Sequence, residues 1–281
     1  MRVFEDPGAM REWSLEQRCQ GRTIGFVPTM GALHEGHASL MRAASGQNDT
    51  AVASIFVNPT QFAPHEDFDK YPRTWDDDVA LAEKGGVQAI YHPSAKAMYP
   101  DDAATRVHVS RITERLCGAS RPHFFEGVAT VVAKLFNAVY PHRAYFGQKD
   151  AQQTVVIRRM ARDLDMPVEI VEMPIVREAD RLALSSRNRY LSSDERARAL
   201  ALPRALDHAR LMLESGERKA AAITSAVESA LDGLKIDYVE LVDAEDITPL
   251  DEVRGKVLLA AAVWCGQTRL IDNIKYEVPD S

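Results

Sequence analysis

The stretch Thr23–Leu40, TIGFVPTMGALHEGHASL, constrains the fold more than any other part of the chain. Ile24, Phe26 and Val27 read as a short apolar strand that breaks at Pro28. Gly31 marks a tight loop, and a helix carrying Leu40 and Met41 follows. Strand, loop and helix in that order form the turn at which open α/β sheets bind ligands. His34, Glu35, Gly36 and His37 stand at the helix start. Free backbone N–H groups and the helix dipole favour an anion there, and Gly36 lets a flat base or a phosphate approach closely. The stretch reads as a nucleotide site. A zinc protease would need H-E-x-x-H. Here the histidines are one residue closer, with a helix-unfriendly glycine between them, and no other His or Cys cluster completes a ligand set. Solvated histidines on a helix end are the ordinary case for a lone H-x-x-H, and the strand and loop before it weigh against that case.

At 281 residues the chain is long enough for one or two domains. A net charge of −7 argues against nucleic acid or a membrane surface as partner. Cys19, Cys117 and Cys265 form no C-x-x-C pair, which fits a reducing compartment. The opening MRVFEDPGAMREW has no signal-peptide pattern. The longest apolar run, 257–265, is far shorter than the roughly 20 residues that span a bilayer. These features predict a cytoplasmic protein without a membrane span.

Strand-like runs at 50–57, 87–91, 144–146 and 168–171 alternate with helical patterns, which predicts βαβ units and a parallel sheet. A short strand is also expected at 107–109. Thr74-x-x-Asp77 and Ser192-x-x-Glu195 read as capping boxes, the second opening a helix toward Gly216. The stripe Val128, Val131, Val132, Leu135, Phe136, Val139 reads as a core helix rather than a cofactor box. Near Arg177 the composition turns polar and basic. Three runs, IDYVELV, VLLAAAV and TRLIDNIKY, close the chain as strands, antiparallel in part. The expected architecture is α/β: a parallel-sheet domain over residues 1–175 and a smaller α+β domain over 176–281.

Three strand-end turns carry polar residues that a core does not need: His34 and His37, Asn58 and Gln61, and Lys149 and Asp150 with Gln152 and Gln153. A parallel sheet aligns its carboxyl ends, so these groups are expected to converge. Lys149 offers a point charge for phosphate, Asp150 an acceptor for ribose hydroxyls, and Gln61 and Gln153 neutral partners for a hydroxy acid. Ser185, Ser186 and Arg187 can grip phosphate through hydroxyls and a guanidinium fork, although a polar interdomain loop is an equal reading of the local sequence.

VPTMGALHEGHASL, IFVNPTQF, GVATVVAKLFN, YFGQKDAQQ, PIVREAD and LALSSRNRYLS, in this order and spacing, resemble the pantoate–β-alanine ligase family. The resemblance is strong to about Tyr190 and weaker beyond. It implies a Rossmann-like, nucleotidyltransferase-type first domain, a lid-like second domain and a homodimer. It also implies condensation of pantoate with β-alanine, with ATP cleaved to AMP and pyrophosphate in the presence of Mg²⁺, and no metal held by the protein alone. Carried onto this chain, Met30, Gly31, Ala32, Leu33, His34, Glu35, Gly36 and His37 would hold ATP, with His37 the acid. Gly147, Gln148, Lys149, Asp150, Val176, Leu184, Ser185, Ser186 and Arg187 would complete the nucleotide site. His34, His37, Lys149 and Arg187 are the expected catalytic set. Gln61 and Gln153 would bind pantoate in a pocket shaped by Asn58.

The chain departs from the family pattern at Gln148, where glutamate is usual, and at Arg181, where glycine is usual. In RPHFFEGV, His123 and Phe124 displace a Gly-His pair, which removes support for a loop histidine near pantoate. Two rivals remain open on the sequence: an adenylyltransferase that keeps AMP on its product, and a nucleotide-binding regulator without turnover. A tRNA-charging enzyme is disfavoured by the short, acidic chain.

Overall fold

The computed structural model describes residues 1–64 and 66–279. In chain order the elements are β1 (Arg2–Phe4), α1 (Pro7–Cys19), β2 (Ile24–Thr29), α2 (Glu35–Gln47), β3 (Thr50–Ile55), α3 (Trp75–Lys84), β4 (Ala89–Tyr91), α4 (Ala95–Met98), α5 (Cys117–Ser120), α6 (Phe124–Val139), β5 (Arg143–Gly147), α7 (Ala151–Asp163) and β6 (Glu169–Met173). They are followed by α8 (Ser193–Ala199), α9 (Ala201–Glu214), α10 (Ala220–Ala230), β7 (Lys235–Asp243), β8 (Lys256–Cys265) and β9 (Thr268–Glu277). The chain divides into two compact units. The first comprises 1–110, 121–147 and 156–174, and the second comprises 111–120, 148–155 and 175 onward.

The first unit is a six-stranded sheet in the order β1-β4-β3-β2-β5-β6, parallel throughout. The chain runs outward from β2 through β3 to β4 and returns to β5 on the other side of β2. That reversal is the switch point beside which open α/β sheets hold ligands. β2 does not end at Pro28 as the sequence suggests but continues to Thr29. Its pairing with β5 stops at Phe26↔Ala144, while its pairing with β3 runs through Pro28↔Ser54 to Thr29↔Ile55. A proline has no N–H to give, and here the β5 side no longer asks for one.

The predicted stripe on α6 is core: Val128, Val131, Val132, Leu135, Phe136 and Val139 are all buried, and Phe136 meets Phe26 of β2 edge-on, ring centroids 6.3 Å apart. A Cβ on Gly127 would lie 2.4 Å from the Thr60 carbonyl, so α6 presses its backbone against the turn that follows β3. One expectation fails and one strand goes unread in the sequence. Residues 107–109 form no strand, because the Val107 N–H bonds the Thr130 hydroxyl of α6 at 2.9 Å instead of a ladder partner. The three-residue strand β1 was not foreseen, since so short a run shows no period.

The second unit carries the antiparallel sheet β7-β8-β9 with α9 and α10. The Ser192–Glu195 capping box is present. The helix it opens stops at Leu200 and restarts as α9, because Pro203 in the new first turn offers no N–H back to Ala199. The capping box expected from Thr74 to Asp77 is absent. Thr74 makes no side-chain cap, and its hydroxyl donates to Asp78 instead.

Two positions give tests. His142 Nδ1 accepts the N–H of Ile24 at 2.9 Å, tying β2 to the start of β5. Burial, then the nearby Arg18 and Arg143 cations, hold this imidazole below its ordinary value of 6.5. The native state therefore binds fewer protons than the unfolded chain once the pH falls through 6.5. Stability is full above that value and declines as the pH drops toward the folded value. In His142→Asn, whose Oδ1 can take the same N–H, the fall in Tm between pH 7 and pH 5 should be smaller than in the parent; equal falls would remove His142 from the account. Arg181 sits at φ 77°, in the left-handed region, at the position where glycine is usual in the resembling family. Its exposed ion pair with Asp207 at 3.0 Å contributes little, and a side chain in that region costs about 1–2 kcal/mol. Arg181→Gly should raise unfolding stability by about 1 kcal/mol in a denaturant titration, and a loss of stability would contradict this.

Candidate functional site

In the first unit the site grows from the end of β2. Thr29 closes the strand, and its hydroxyl accepts the Gly31 N–H at 3.2 Å while donating to the Ser54 carbonyl of β3 at 2.6 Å. Gly31 at φ 79° and Ala32 at φ 50° turn the chain sharply. The buried carboxylate of Asp78, 2% exposed in the first turn of α3, makes this possible. It accepts the N–H of Ala32 at 3.0 Å, the N–H of Leu33 at 2.7 Å and the Thr74 hydroxyl at 3.1 Å. A Cβ on Gly31 would stand 2.9 Å from that carboxylate. Sequence reading missed Asp78. The one available signal was an acidic run behind Thr74, which it assigned to capping.

α2 then begins with His34 as its N-cap residue in extended conformation. The His34 N–H donates to Nδ1 of His37 at 3.3 Å, and the two rings lie 4.1 Å apart at 33°. Because Nδ1 accepts, the neutral His37 ring carries its proton on Nε2, which makes that nitrogen the donor. Glu35 pairs with Arg42 along the exposed face. The N–H groups of the first turn and two imidazoles therefore meet at one helix end, an arrangement suited to phosphate oxygens.

The turn after β3 reaches the same edge. Asn58, 1% exposed, accepts from the Tyr99 hydroxyl at 2.7 Å and from the Thr60 hydroxyl at 2.9 Å. It donates to the Gly127 carbonyl at 3.1 Å and to Oε1 of Gln61 at 3.0 Å. Gln61 Nε2 lies 3.0 Å from the sulfur of Met30. Gly127 O can only accept, so Asn58 must turn its nitrogen that way. Gln61 then meets that nitrogen with its oxygen, and its own nitrogen turns to the Met30 sulfur. Burial raises the Tyr99 phenol, so it stays protonated and donating. Arg121 bridges Glu66 and the Gln61 carbonyl, the latter at 3.0 Å, and stacks 3.9 Å over the Phe124 ring. His123 is exposed.

Apart from Gly147, which ends β5 in the first unit, the other candidate residues lie in the second unit. Gln148–Asp150 form one turn of 3₁₀ helix leading into α7, with Lys149 Nζ 3.8 Å from the Asp150 carboxylate. Gln153 is half-buried. Gln152, also expected at a site, serves the fold instead: its amide accepts the Cys117 N–H and donates to the Ile112 and Arg115 carbonyls at 2.8–3.0 Å. Val176 and Leu184 face each other across a hairpin-like turn, Leu184 N–H to Val176 O at 3.0 Å. Arg196 of α8 holds that turn by pairing with Glu178 at 2.7 Å and Asp180 at 2.8 Å. Burial opposes ionisation of Asp180, yet the Arg196 hydrogen bond and charge hold its carboxyl below the ordinary value. Asn188, 6% exposed, donates to Glu178 and to the Ala183 carbonyl. Ser185 caps Arg187 through its hydroxyl at 3.3 Å, which keeps the Ser185–Arg187 backbone compact and half-buried. Among the described residues no group of three or more His, Cys, Asp or Glu could hold a metal ion.

Asp78→Ala would strand the buried N–H groups of Ala32 and Leu33. A bond to a charged group contributes about 1.5–3 kcal/mol and an unsatisfied buried donor costs a similar amount. The variant should therefore lose about 2–3 kcal/mol of stability in urea titration. An unchanged midpoint would mean that the carboxylate does not hold the loop.

The family model for pantoate-beta-alanine ligase matches residues 2–275. A pantothenate synthetase of Moorella thermoacetica is 53% identical over 283 residues, covering 100% of both chains. One from Thermotoga neapolitana is 54% identical over 97% of this chain and 99% of its own. The crystal structure of pantothenate synthetase from Thermus thermophilus superposes with a TM-score of 0.91 at 44% identity, covering 98% of this chain and 99% of that one. The pantoate-beta-alanine ligase of Francisella tularensis, solved as a complex with beta-gamma ATP and beta-alanine, gives 0.78 at 32% identity over 98% and 97%. With a family match across nearly its whole length and relatives above half identity over all of it, the chain belongs to the pantoate–β-alanine ligase family.

Proposed function

We propose that the protein joins pantoate to β-alanine through an enzyme-held pantoyl adenylate, cleaving ATP to AMP and pyrophosphate. Family membership supports the reaction class. The observation that carries the assignment on this chain is the end of β2, where stacked His34 and His37 crown a helix N-terminus beside the fixed carboxamide of Gln61.

A carboxylate approaching a polyphosphate meets Coulomb repulsion, so the site must supply positive charge and hydrogen-bond donors where negative charge grows. In this reading Met30–His37 receive the nucleotide, and His34 and His37 face the phosphates. His37 Nε2–H can donate to a phosphate oxygen without losing the Nδ1 bond that orients the ring. Gln61 offers an N–H to a pantoate oxygen, and Asn58 keeps that amide from rotating. Gln153 is the second pantoate contact. Lys149 and Arg187 stabilise the departing pyrophosphate, with Gly147, Gln148, Asp150, Val176, Leu184, Ser185 and Ser186 completing nucleotide recognition. Mg²⁺ enters with ATP as part of the substrate; such ions are usually held by phosphate oxygens and at most one or two carboxylates. We assign the larger nucleotide- and pantoate-binding domain to residues 1–175 and a smaller domain, which adds Val176 and Leu184 to Arg187 to the nucleotide site, to 176–281. A cytoplasmic homodimer is the assembly we propose.

In the first step a pantoate carboxylate oxygen bonds the α-phosphorus and pyrophosphate leaves. In the second the β-alanine amine, having lost a proton, bonds the acyl carbon, and the C–O bond to AMP breaks. Pantoate labelled with ¹⁸O in its carboxylate should therefore pass one labelled oxygen to AMP, read by mass spectrometry. Label in inorganic phosphate, with ADP as co-product, would establish an acyl phosphate route and overturn the adenylate.

A further inference from the structure

β9 carries two polar side chains in its middle that a packing strand does not need. Asp272 and Asn273 are 2% and 3% exposed, and they lie opposite Ala261 and Ala260 of β8. Burying a carboxylate and a carboxamide in mid-strand costs free energy unless their polar atoms are matched. Successive strand residues project to opposite faces, so the two side chains serve different partners. Asp272 accepts both arms of the Arg177 guanidinium, at 2.6 and 3.0 Å. Asn273 turns to the Lys149 segment: its Nδ2 donates to the carbonyls of Gln148 at 2.9 Å and Lys149 at 3.1 Å. Its Oδ1 accepts from Gln148 Nε2 at 3.1 Å.

Those two carbonyls belong to the peptide units on either side of the Lys149 Cα. Holding both planes with one amide group restricts φ and ψ of Lys149, and with them the direction in which its side chain leaves the backbone. Gln148 completes the arrangement, since its donor fixes which end of the Asn273 amide points at the carbonyls. We infer that Asn273 is a positioning residue for Lys149: it sets the ammonium in the place needed for adenylation. This rests on the proposed role of Lys149. It adds a residue more than a hundred positions away in sequence that makes the charge preorganised rather than merely present.

The test is a double-mutant cycle on the full-length protein, with Asn273→Ala, Lys149→Ala and both together. Each is assayed for pyrophosphate release from ATP and pantoate, and separately for amide formation from synthetic pantoyl adenylate and β-alanine. Asn273→Ala should lower kcat for pyrophosphate release by roughly 10–100-fold, the scale of a catalytic group displaced by about 1 Å. Amide formation should change by less than about twofold, and the double variant should be no slower than Lys149→Ala by more than about twofold. Gln148→Met, which removes only the donor to Asn273 Oδ1, should show a smaller loss of the same kind and stands in should Asn273→Ala fail to fold. Losses that add in the double variant, or that strike both steps equally, would make Asn273 a structural residue only. A parent protein that releases no pyrophosphate with ATP and pantoate would overturn the ligase reading and this inference together, whereas an active parent with additive losses overturns the inference alone.

Discussion

The carboxylate of Asp78 is the interaction on which the loop at the carboxyl end of β2 depends. Parallel strands bring their carboxyl ends to one edge, but that alone leaves the loop after β2 free to wander. Two amides of that loop, Ala32 and Leu33, close on one buried acid from the first turn of α3. With them fixed, His34 enters α2 in extended geometry and the imidazole pair falls at the helix end. The acid is compatible with burial because each bond it accepts comes from a neighbour that would otherwise lack a partner.

The same device recurs at Asn58, where one carboxamide joins the turn after β3 to Tyr99 and to the backbone of α6. The consequence is chemical as well as mechanical. A carboxamide offers a donor at one end and an acceptor at the other, and the Gly127 carbonyl decides which way Asn58 points. Asn58 in turn decides which end of Gln61 is presented. The orientation of the Gln61 amide thereby traces back to a backbone carbonyl of a helix whose sequence pattern speaks only of packing.

The second unit organises its polar loops by charge. Arg177 is drawn to Asp272, while Glu178 and Asp180 are drawn to Arg196, so the polar segment after β6 has a defined course although it contains little regular structure. Ser185–Arg187 inherits that order through Asn188, which is bonded to Glu178 and to the Ala183 carbonyl. The left-handed Arg181 at the tip of this segment is tolerated because the pairs on both sides hold the turn closed.

The amino-acid sequence alone made legible the alternation of strands and helices, the buried stripe of α6, a partly antiparallel arrangement of the last three strands and the family. Each of these rests on local periodicity, turn residues or ordered motifs, which are properties of neighbouring positions. It did not show β1, which has too few residues for a period, nor the break at Leu200, nor the continuation of β2 through Pro28, which depends on where β5 stops pairing. It placed Gln152 with the site residues, whereas the fold uses that amide to tie down the 111–117 loop. Asp78, Tyr99, Asp272 and Asn273 were invisible for a common reason. Each looks like an ordinary polar residue in its own segment, and its partner lies tens of positions away or more. Only tertiary structure brings donor and acceptor together, and a buried hydrogen bond leaves no trace in the chain until both of its ends are in place.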